Sequence, residues 1–342
     1  MYETVERACL ISSGSNDPRT TPTPIGSQTR LSAFECLNYS ASQMRILSAN
    51  SQYKSFQNCG KPVDNMWINT LHPASATRMP ISATAVLFAE DTRLGLPPVF
   101  STSTGTAVGE DFEDAAHRAV LELVERDLVA IWWYNCAVAE RILPTAVSDC
   151  LPEAFARWLS NRKRLTWHLL MPSDLPAHAV VAISARADGS RPALGAASAL
   201  NPADAVRSAT LEMLQGEVSL GHMRAAQRLP DPPEPPPLLA WSEATNAFQT
   251  PYLMGCEPEC GLPAPTSYDG LMSHFDEAGI DIFLADLTRP ELRVPVVKAI
   301  SPTLRDWLVR FGPGRLYDVP VKLGLIPAPT PEAQLNPIPF VI

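Results

Sequence analysis

The sequence predicts an α+β fold of sheets packed by helices, its elements alternating too irregularly for a doubly wound parallel sheet. Three observations carry that expectation. Residues 112–134 form one long run of good helix formers set among Leu, Val and Trp; residues 165–170 and 179–184 are short β-rich segments close together in the chain; residues 280–286 and 294–300 form a second such couple.

In chain order, residues 1–12 read as a helix, and 13–30, rich in Ser, Thr, Pro and Gly, as loop. The segments from Arg30 to Tyr39 and from Met44 to Leu47 fit neither period, and Pro, Asn and Ser interrupt 48–80 too often for long elements. Residues 81–88 alternate in part and predict a strand. Asp111, Glu113 and Asp114 put negative charge at the start of the helix 112–134, where the helix dipole favours it. Beyond the first strand couple, Asn201 supplies an N-cap, Pro202 suits the first turn and Asp204 adds an acid, so a helix opens there and runs through Glu212 and Gln215. The proline-rich stretch 229–238 must be extended and stiff, because proline denies helix and ladder bonds, and it predicts a rigid connection within one domain. Residues 271–279 form a short helix that Gly279 can close, and residues 287–290 join the second strand couple.

Composition excludes several classes. With 342 residues and 46% hydrophobic content the chain can fill a substantial core, as one large or two ordinary domains. A net charge of −9 without a Lys/Arg-rich run argues against a nucleic-acid partner, since phosphate neutralisation needs clustered cations. No apolar stretch approaches the ~18 residues a membrane span requires, and no basic region precedes an apolar one at the amino terminus, so a cytoplasmic location is expected. Seven cysteines at irregular spacings argue against a disulfide framework; Cys256 and Cys260, without a second pair, predict a loop with two free thiols rather than a zinc site. Trp132 and Trp133 read as core, and His117 as a packing or surface residue rather than a base.

The chemistry lies in three segments with polar side chains three apart: Glu3 and Glu6 before Arg7, Glu122 and Glu125 before Arg126, and Glu212 with Gln215. On a helix, residues three apart share a face, so Glu122 and Glu125 emerge together from an apolar wall. Carboxylates among Leu and Val are costly unless a cation or hydrogen-bond donors compensate them. Mg²⁺, which takes hard oxygen ligands and commonly joins carboxylates to phosphates, is one compensator; a structural pair with the adjacent Arg is the other.

The run from Val99 through Ser101, Ser103, Thr104, Gly105 and Gly109 to Arg118, Glu122, Glu125, Arg126 and Asn135 resembles the central motif of YcaO-domain proteins. Leu194 to Ser198 followed by Ser208, Glu212 and Gln215, the Phe311 to Pro320 segment and the terminal Asn336, Pro337, Pro339 and Phe340 extend the resemblance over nearly the whole chain. It implies a mixed YcaO-like fold whose helices carry acidic ATP and magnesium motifs. It implies Mg²⁺ held by Glu3, Glu6, Glu122 and Glu125, phosphates met by Arg7 and Arg126, and a nucleotide pocket completed by Ser101, Ser103, Ser208, Glu212 and Gln215. It also implies a catalytic tail, with Pro337, Pro339 and the carboxylate of Ile342 near the reacting amide.

The activity implied is ATP-dependent cyclodehydration of Cys, Ser or Thr to azolines in a ribosomally made precursor peptide, by a YcaO domain spanning 1–342, with a homodimer compatible. No E1-like leader-binding domain is visible, so a separate protein is expected to recruit the peptide. Thr104 stands where Asn is frequent, Arg118 where Ser is common, and Ser301 to Leu304 where Pro-Gly-Leu is usual. Family members carry several tens of residues ahead of the first motif, so the usual N-terminal segment is expected to be lacking. A non-catalytic protein that docks a peptide or partner, and a thioamide-forming enzyme, are the alternatives.

Overall fold

The computed structural model describes residues 2–11, 17–21, 38–49, 67–87 and 102–340. The chain divides into two compact units: Met1–Arg126, Met272–Asp306 and Arg310–Arg315 form the first, and Asp127–Leu271, Trp307–Val309 and Leu316–Ile342 the second. Its first half runs through α1 (Tyr2–Leu10), α2 (Ala41–Ala49), β1 (Trp67–His72), β2 (Thr77–Ser82), α3 (Ala83–Val86), β3 (Thr106–Val108), α4 (Phe112–Tyr134), β4 (Glu140–Ile142), α5 (Pro144–Asp149), α6 (Glu153–Asn161) and β5 (Leu165–Leu170). The second half contributes β6 (His178–Ala185), β7 (Ala193–Ala199), α7 (Pro202–Ala226), α8 (Pro237–Ala244), α9 (Pro251–Met254), β8 (Cys256–Cys260), α10 (Tyr268–Ala278), β9 (Phe283–Asp286), β10 (Val296–Ile300) and α11 (Arg315–Lys322).

The first unit holds an antiparallel sheet ordered β2-β1-β9-β10-β3. Its core joins Cys9 and Leu10 of α1 to Ile68, Ile81, Val86, Val108, Phe283, Val296 and Ile300. The expected strand at 81–88 is corrected here. The strand ends at Ser82, and Ala83–Val86 coil into one helical turn. The partial alternation of the sequence reflects Ile81, Val86 and Leu87 entering one apolar cluster, which a turn of Ala-rich helix achieves as well as a strand. Phe88 lies outside the described residues, as do Cys36 and Cys59. Residues 280–286 and 294–300 supply β9 and β10 with shorter bounds, paired antiparallel as Phe283↔Ile300 through Asp286↔Val297.

The second unit holds the sheet β7-β6-β5-β4-β8, in which β4 and β8 run parallel and the other neighbours antiparallel. The pairing of β5 with β6 follows the sequence expectation. The segment from Cys256 to Cys260, expected as a loop, is strand β8, with its thiols free as anticipated. Glu and Pro give it little strand propensity; backbone pairing with β4 decides the matter, Cys256 N–H donating to Ala139 O at 2.9 Å and Leu143 N–H to Cys260 O at 2.9 Å.

Helix α7 covers this sheet, seating Ala205, Val206, Ala209 and Met213 on Val180, Ala182 and Ala197. Asn201 caps it as expected, Oδ1 accepting from Ala203 N–H at 3.1 Å. The approach to β7 is so close that a Cβ at Gly195 would lie 2.1 Å from Met213 N and 2.5 Å from Ala209 O. Neither backbone atom can move without displacing the helix, so Gly195→Ala should destabilise the protein by about 2 kcal/mol or more, read as a lower denaturant midpoint.

Candidate functional site

Helix α4 buries Ala119, Val120, Leu123, Val124 and Leu128. On its remaining face stand Glu122, Glu125 and Arg126, whose side chains keep 22%, 12% and 14% of their exposure. That partial burial makes compensation necessary, and Arg126 supplies it. Its Nη2 donates to Glu122 Oε1 at 2.9 Å and its Nη1 to Glu125 Oε1. Of the two compensators left open by the sequence, the structure shows the pairing with Arg: the guanidinium grips both carboxylates.

Glu6 faces this group from α1, its carboxylate accepting from Val108 N–H of β3 at 3.1 Å. Burial pushes the Glu6 carboxyl above the usual range against the effect of that bond, and the Glu3 charge pushes the same way. Burial pushes Glu122 up to about 7; Arg126 opposes this, the Glu6 charge reinforces it and Lys298 opposes it. Glu122 therefore senses the charge of Glu6 on the facing helix. Glu3 and Arg7, by contrast, are exposed and pair with one another at 2.7 Å. Among the described residues no group of three or more His, Cys, Asp or Glu side chains is gathered closely enough to hold a metal ion. The donors nevertheless fit Mg²⁺: they are hard oxygens in mutual repulsion, and a dication there would compensate them if Arg126 turned to another anion.

The strand-to-helix turn before α4 is set by backbone packing. Gly105 has φ +75°, and a Cβ there would meet Ala299 O at 2.4 Å. Buried Lys298 straps the turn from below, donating to Thr102 O at 2.5 Å and Val86 O at 3.1 Å. Ser103 is exposed, and Ser101 lies outside the described residues. Arg118 points to solvent and pairs with Asp114 at 3.0 Å, and His117 is a partly exposed residue 3.8 Å from Glu113. The role of Lys298 was not read from the sequence, although a lone cation inside the apolar strand β10 is a usable signal.

In the second unit, Ser208, Glu212 and Gln215 recur every three or four residues and share one face of α7. Ser208 and Gln215 are exposed, while Glu212 accepts from Ala196 N–H of β7 at 2.8 Å. The tail is docked on the end of α4. Asn336 N–H donates to Tyr134 O at 2.8 Å, Asn336 Nδ2 to Trp133 O at 3.3 Å, and Trp133 Nε1 to Ile338 O at 2.7 Å. Phe340 packs on Trp132, Trp133 and Trp307 with ring centroids 5.1–6.3 Å apart. Trp132 and Trp133 are core, as expected, at 1% exposure each. Buried Asn336 and Phe340 thus hold an exposed arch of Pro337, Ile338 and Pro339, and Ile342 lies outside the described residues. The sequence marked this tail without marking Asn336 as its anchor; the missing signal was the need of the last α4 carbonyls for donors.

The Glu122 titration has a consequence for the nucleotide-free protein. Its folded pKa lies above the ordinary carboxylate value of 4.5, so the folded state binds the extra proton and loses that stabilisation as pH rises toward 7. A loss on the order of 2 kcal/mol is expected between pH 5 and 8. Glu122→Gln should flatten that part of the profile in paired thermal melts.

Acidic side chains on two helices beside a partly buried guanidinium are the donor types that Mg²⁺ and phosphate groups take in a mixed α+β protein. The sequence matches the family profile described as YcaO cyclodehydratase, ATP- and Mg²⁺-binding, over residues 1–305, and the chain belongs to that family. No curated protein matches the sequence. Among solved structures, a heterocyclase in complex with substrate and cofactor matches with a TM-score of 0.81 and 28% identity, covering 99% of this chain and 47% of that one. The heterocyclase TruD matches with a TM-score of 0.78 and 27% identity over 99% of this chain and 50% of its own. The chain therefore spans about half the length of these heterocyclases. A YcaO protein from Methanopyrus kandleri, bound with AMPPCP and Mg²⁺, shares the fold at 18% identity and a TM-score of 0.62, covering 90% of this chain and 75% of that one. Among the described residues no helix is long and apolar enough to cross a membrane.

Proposed function

We propose that this chain uses Mg-ATP to activate backbone amides of a ribosomally made precursor peptide, converting Cys, Ser or Thr to azolines. The observation that carries the reading is the carboxylate and guanidinium cluster of Glu6, Glu122, Glu125 and Arg126, in a chain that belongs to an ATP- and Mg²⁺-binding cyclodehydratase family. The side-chain sulfur or oxygen of the peptide attacks the preceding carbonyl carbon and gives up its proton. The resulting oxyanion takes the terminal phosphoryl group of ATP and releases ADP. Loss of the amide proton then drives out phosphate and leaves the C=N bond of the ring.

In this reading Glu3, Glu6, Glu122 and Glu125 would hold Mg²⁺, which would supply positive charge to offset that of the phosphates. Arg126 and Arg7 neutralise phosphate oxygens, as guanidinium forks do well. Ser101, Ser103, Ser208, Glu212 and Gln215 surround the nucleotide, and Pro337, Pro339 and Ile342 present the tail to the reacting amide. A separate E1-like protein for leader binding belongs to the same proposal. A homodimeric state and a cytoplasmic location complete the proposal.

The test is to incubate the purified protein, with and without a leader-binding partner, with Mg-ATP and a Cys-bearing precursor peptide. Loss of one water per ring with one ADP released supports the proposal. Exchange of oxygen for sulfur would assign a thioamide enzyme, and a peptide bound without any nucleotide turnover would assign a docking protein.

A further inference from the structure

One end of the second unit's sheet carries guanidiniums in excess, although the whole chain has a net charge of −9. Four of them share two carboxylates. Arg162, just beyond α6, donates through Nη1 to Glu217 Oε2 at 2.9 Å, and Arg164 Nε, just before β5, lies 3.2 Å from Glu217 Oε1. Arg191, between β6 and β7, donates through Nε to Glu243 Oε2 at 2.9 Å, and Arg224 of α7 donates to the same carboxylate. The two halves touch, because Arg164 Nη2 donates to Arg191 O at 2.8 Å. Burial pushes Arg164 below the usual guanidinium range; Glu217 opposes this, and the charges of Arg162 and Arg224 reinforce it. Positive charge is therefore gathered there beyond what the two acids neutralise.

Donors remain for a ligand. Among the described residues Arg191 makes its side-chain hydrogen bond through Nε, which leaves the Nη1 and Nη2 fork to meet an outside carboxylate. An exposed aromatic pair stands beside the cations. Trp158 keeps 52% of its exposure, stacks on Phe155 with centroids 5.9 Å apart, and has the Arg162 guanidinium 5.6 Å from its ring centroid. Val218, next to Glu217 on α7, keeps 59%. Trp and Arg are the residue types that carry most energy in polypeptide recognition. So few side chains make the footprint of a peptide, where a stable protein interface takes about 20–30 residues a side. A second copy of the chain is opposed at long range by the net charge of −9 on each.

We infer that Trp158, Val218, Arg191 and Arg224 form a docking surface for a segment of the precursor peptide that mixes acidic with apolar side chains, outside the residues that become rings. Carboxylates of the segment meet the Arg191 fork and Arg224, and an apolar side chain covers Trp158. The choice of the precursor peptide as occupant rests on the function proposed above. The chemistry of the occupant rests on the cluster itself.

Fluorescence anisotropy on the full chain tests the inference with two labelled model precursors that share one Cys-bearing segment, preceded in one by a run of Glu and Leu and in the other by Gln and Leu. The wild type should bind the Glu peptide at least about tenfold more tightly. Salt at about 1 M should remove most of that preference, since screening then acts within about 3 Å. Arg191→Gln and Trp158→Ala should each weaken binding of the Glu peptide at least about fivefold, and either one decides the matter if the other fails to fold. In dehydration assays with Mg-ATP the same variants should raise KM for the Glu peptide and leave kcat and the KM for ATP unchanged. Equal binding of the two peptides, or variants that bind the Glu peptide as the wild type does, overturns the inference. A wild-type dimer that becomes monomeric with Arg191→Gln assigns the surface to a second copy and also overturns it. Dehydration of both peptides with one KM overturns the inference and leaves the proposed function standing. Selective binding of the Glu peptide without dehydration of either supports the surface and overturns the proposed function.

Discussion

Replacing Glu122 or Glu125 by Gln is expected to lower Mg-ATP turnover by about 100-fold or more while the protein stays folded. Each change keeps the shape of the side chain and removes one charge from a cluster whose members repel. Glu122 carries the clearest sign of that repulsion, with its pKa pushed up to about 7 by burial and by Glu6 against the pull of Arg126. Nucleotide-free Glu122→Gln protein should therefore be at least as stable as wild type at pH 8, where the native carboxylate is charged at a cost. Turnover unchanged in both variants would remove the magnesium assignment. Loss of turnover with loss of the cooperative melt would make the pair structural.

Removing residues 337–342 is expected to slow amide dehydration by tens of fold or more while changing ATP affinity about twofold at most. The arch of Pro337, Ile338 and Pro339 is exposed between buried Asn336 and Phe340, so it presents a stiff surface held at both ends. Truncation also removes the Phe340 ring from Trp132, Trp133 and Trp307 and lowers stability. A variant with Pro337 and Pro339 both changed to Gly separates the effects, because it loosens the arch and keeps both anchors. Equal slowing in the two variants, with nucleotide affinity retained, places the tail at the amide. A Gly variant that dehydrates peptide at the wild-type rate would reduce the tail to a packing element.

The long helices were legible because their signals are local. The charged start of α4 and the Asn201 cap of α7 mark each helix within a few residues, and both appear where expected. The antiparallel couple β5 and β6 was legible from Val, Ile, Leu and Trp content. β8 was not, since a Glu- and Pro-bearing segment becomes a strand only through the β4 edge that recruits it. The turn at Ala83–Val86 was hidden because alternation and one helical turn bury the same few side chains.

Residue types at the site were readable from the acidic spacing, and their partners were not. Nothing local couples Glu6 to Val108 or ties Asn336 to the end of α4. The contacts of Arg126 with Glu122 and Glu125 needed the side-chain geometry, because adjacency in sequence leaves open whether an Arg turns toward or away from its neighbours.

The central claim is that ATP activates a peptide amide oxygen, and the fate of that oxygen tests it most directly. A precursor peptide labelled with heavy oxygen at the carbonyl preceding the reacting Cys would be incubated with the protein, its leader-binding partner and Mg-ATP. The account predicts that the label leaves with inorganic phosphate, one labelled phosphate per ring. Phosphate carrying only oxygen from solvent, with the label still in the peptide or released as water, would contradict it.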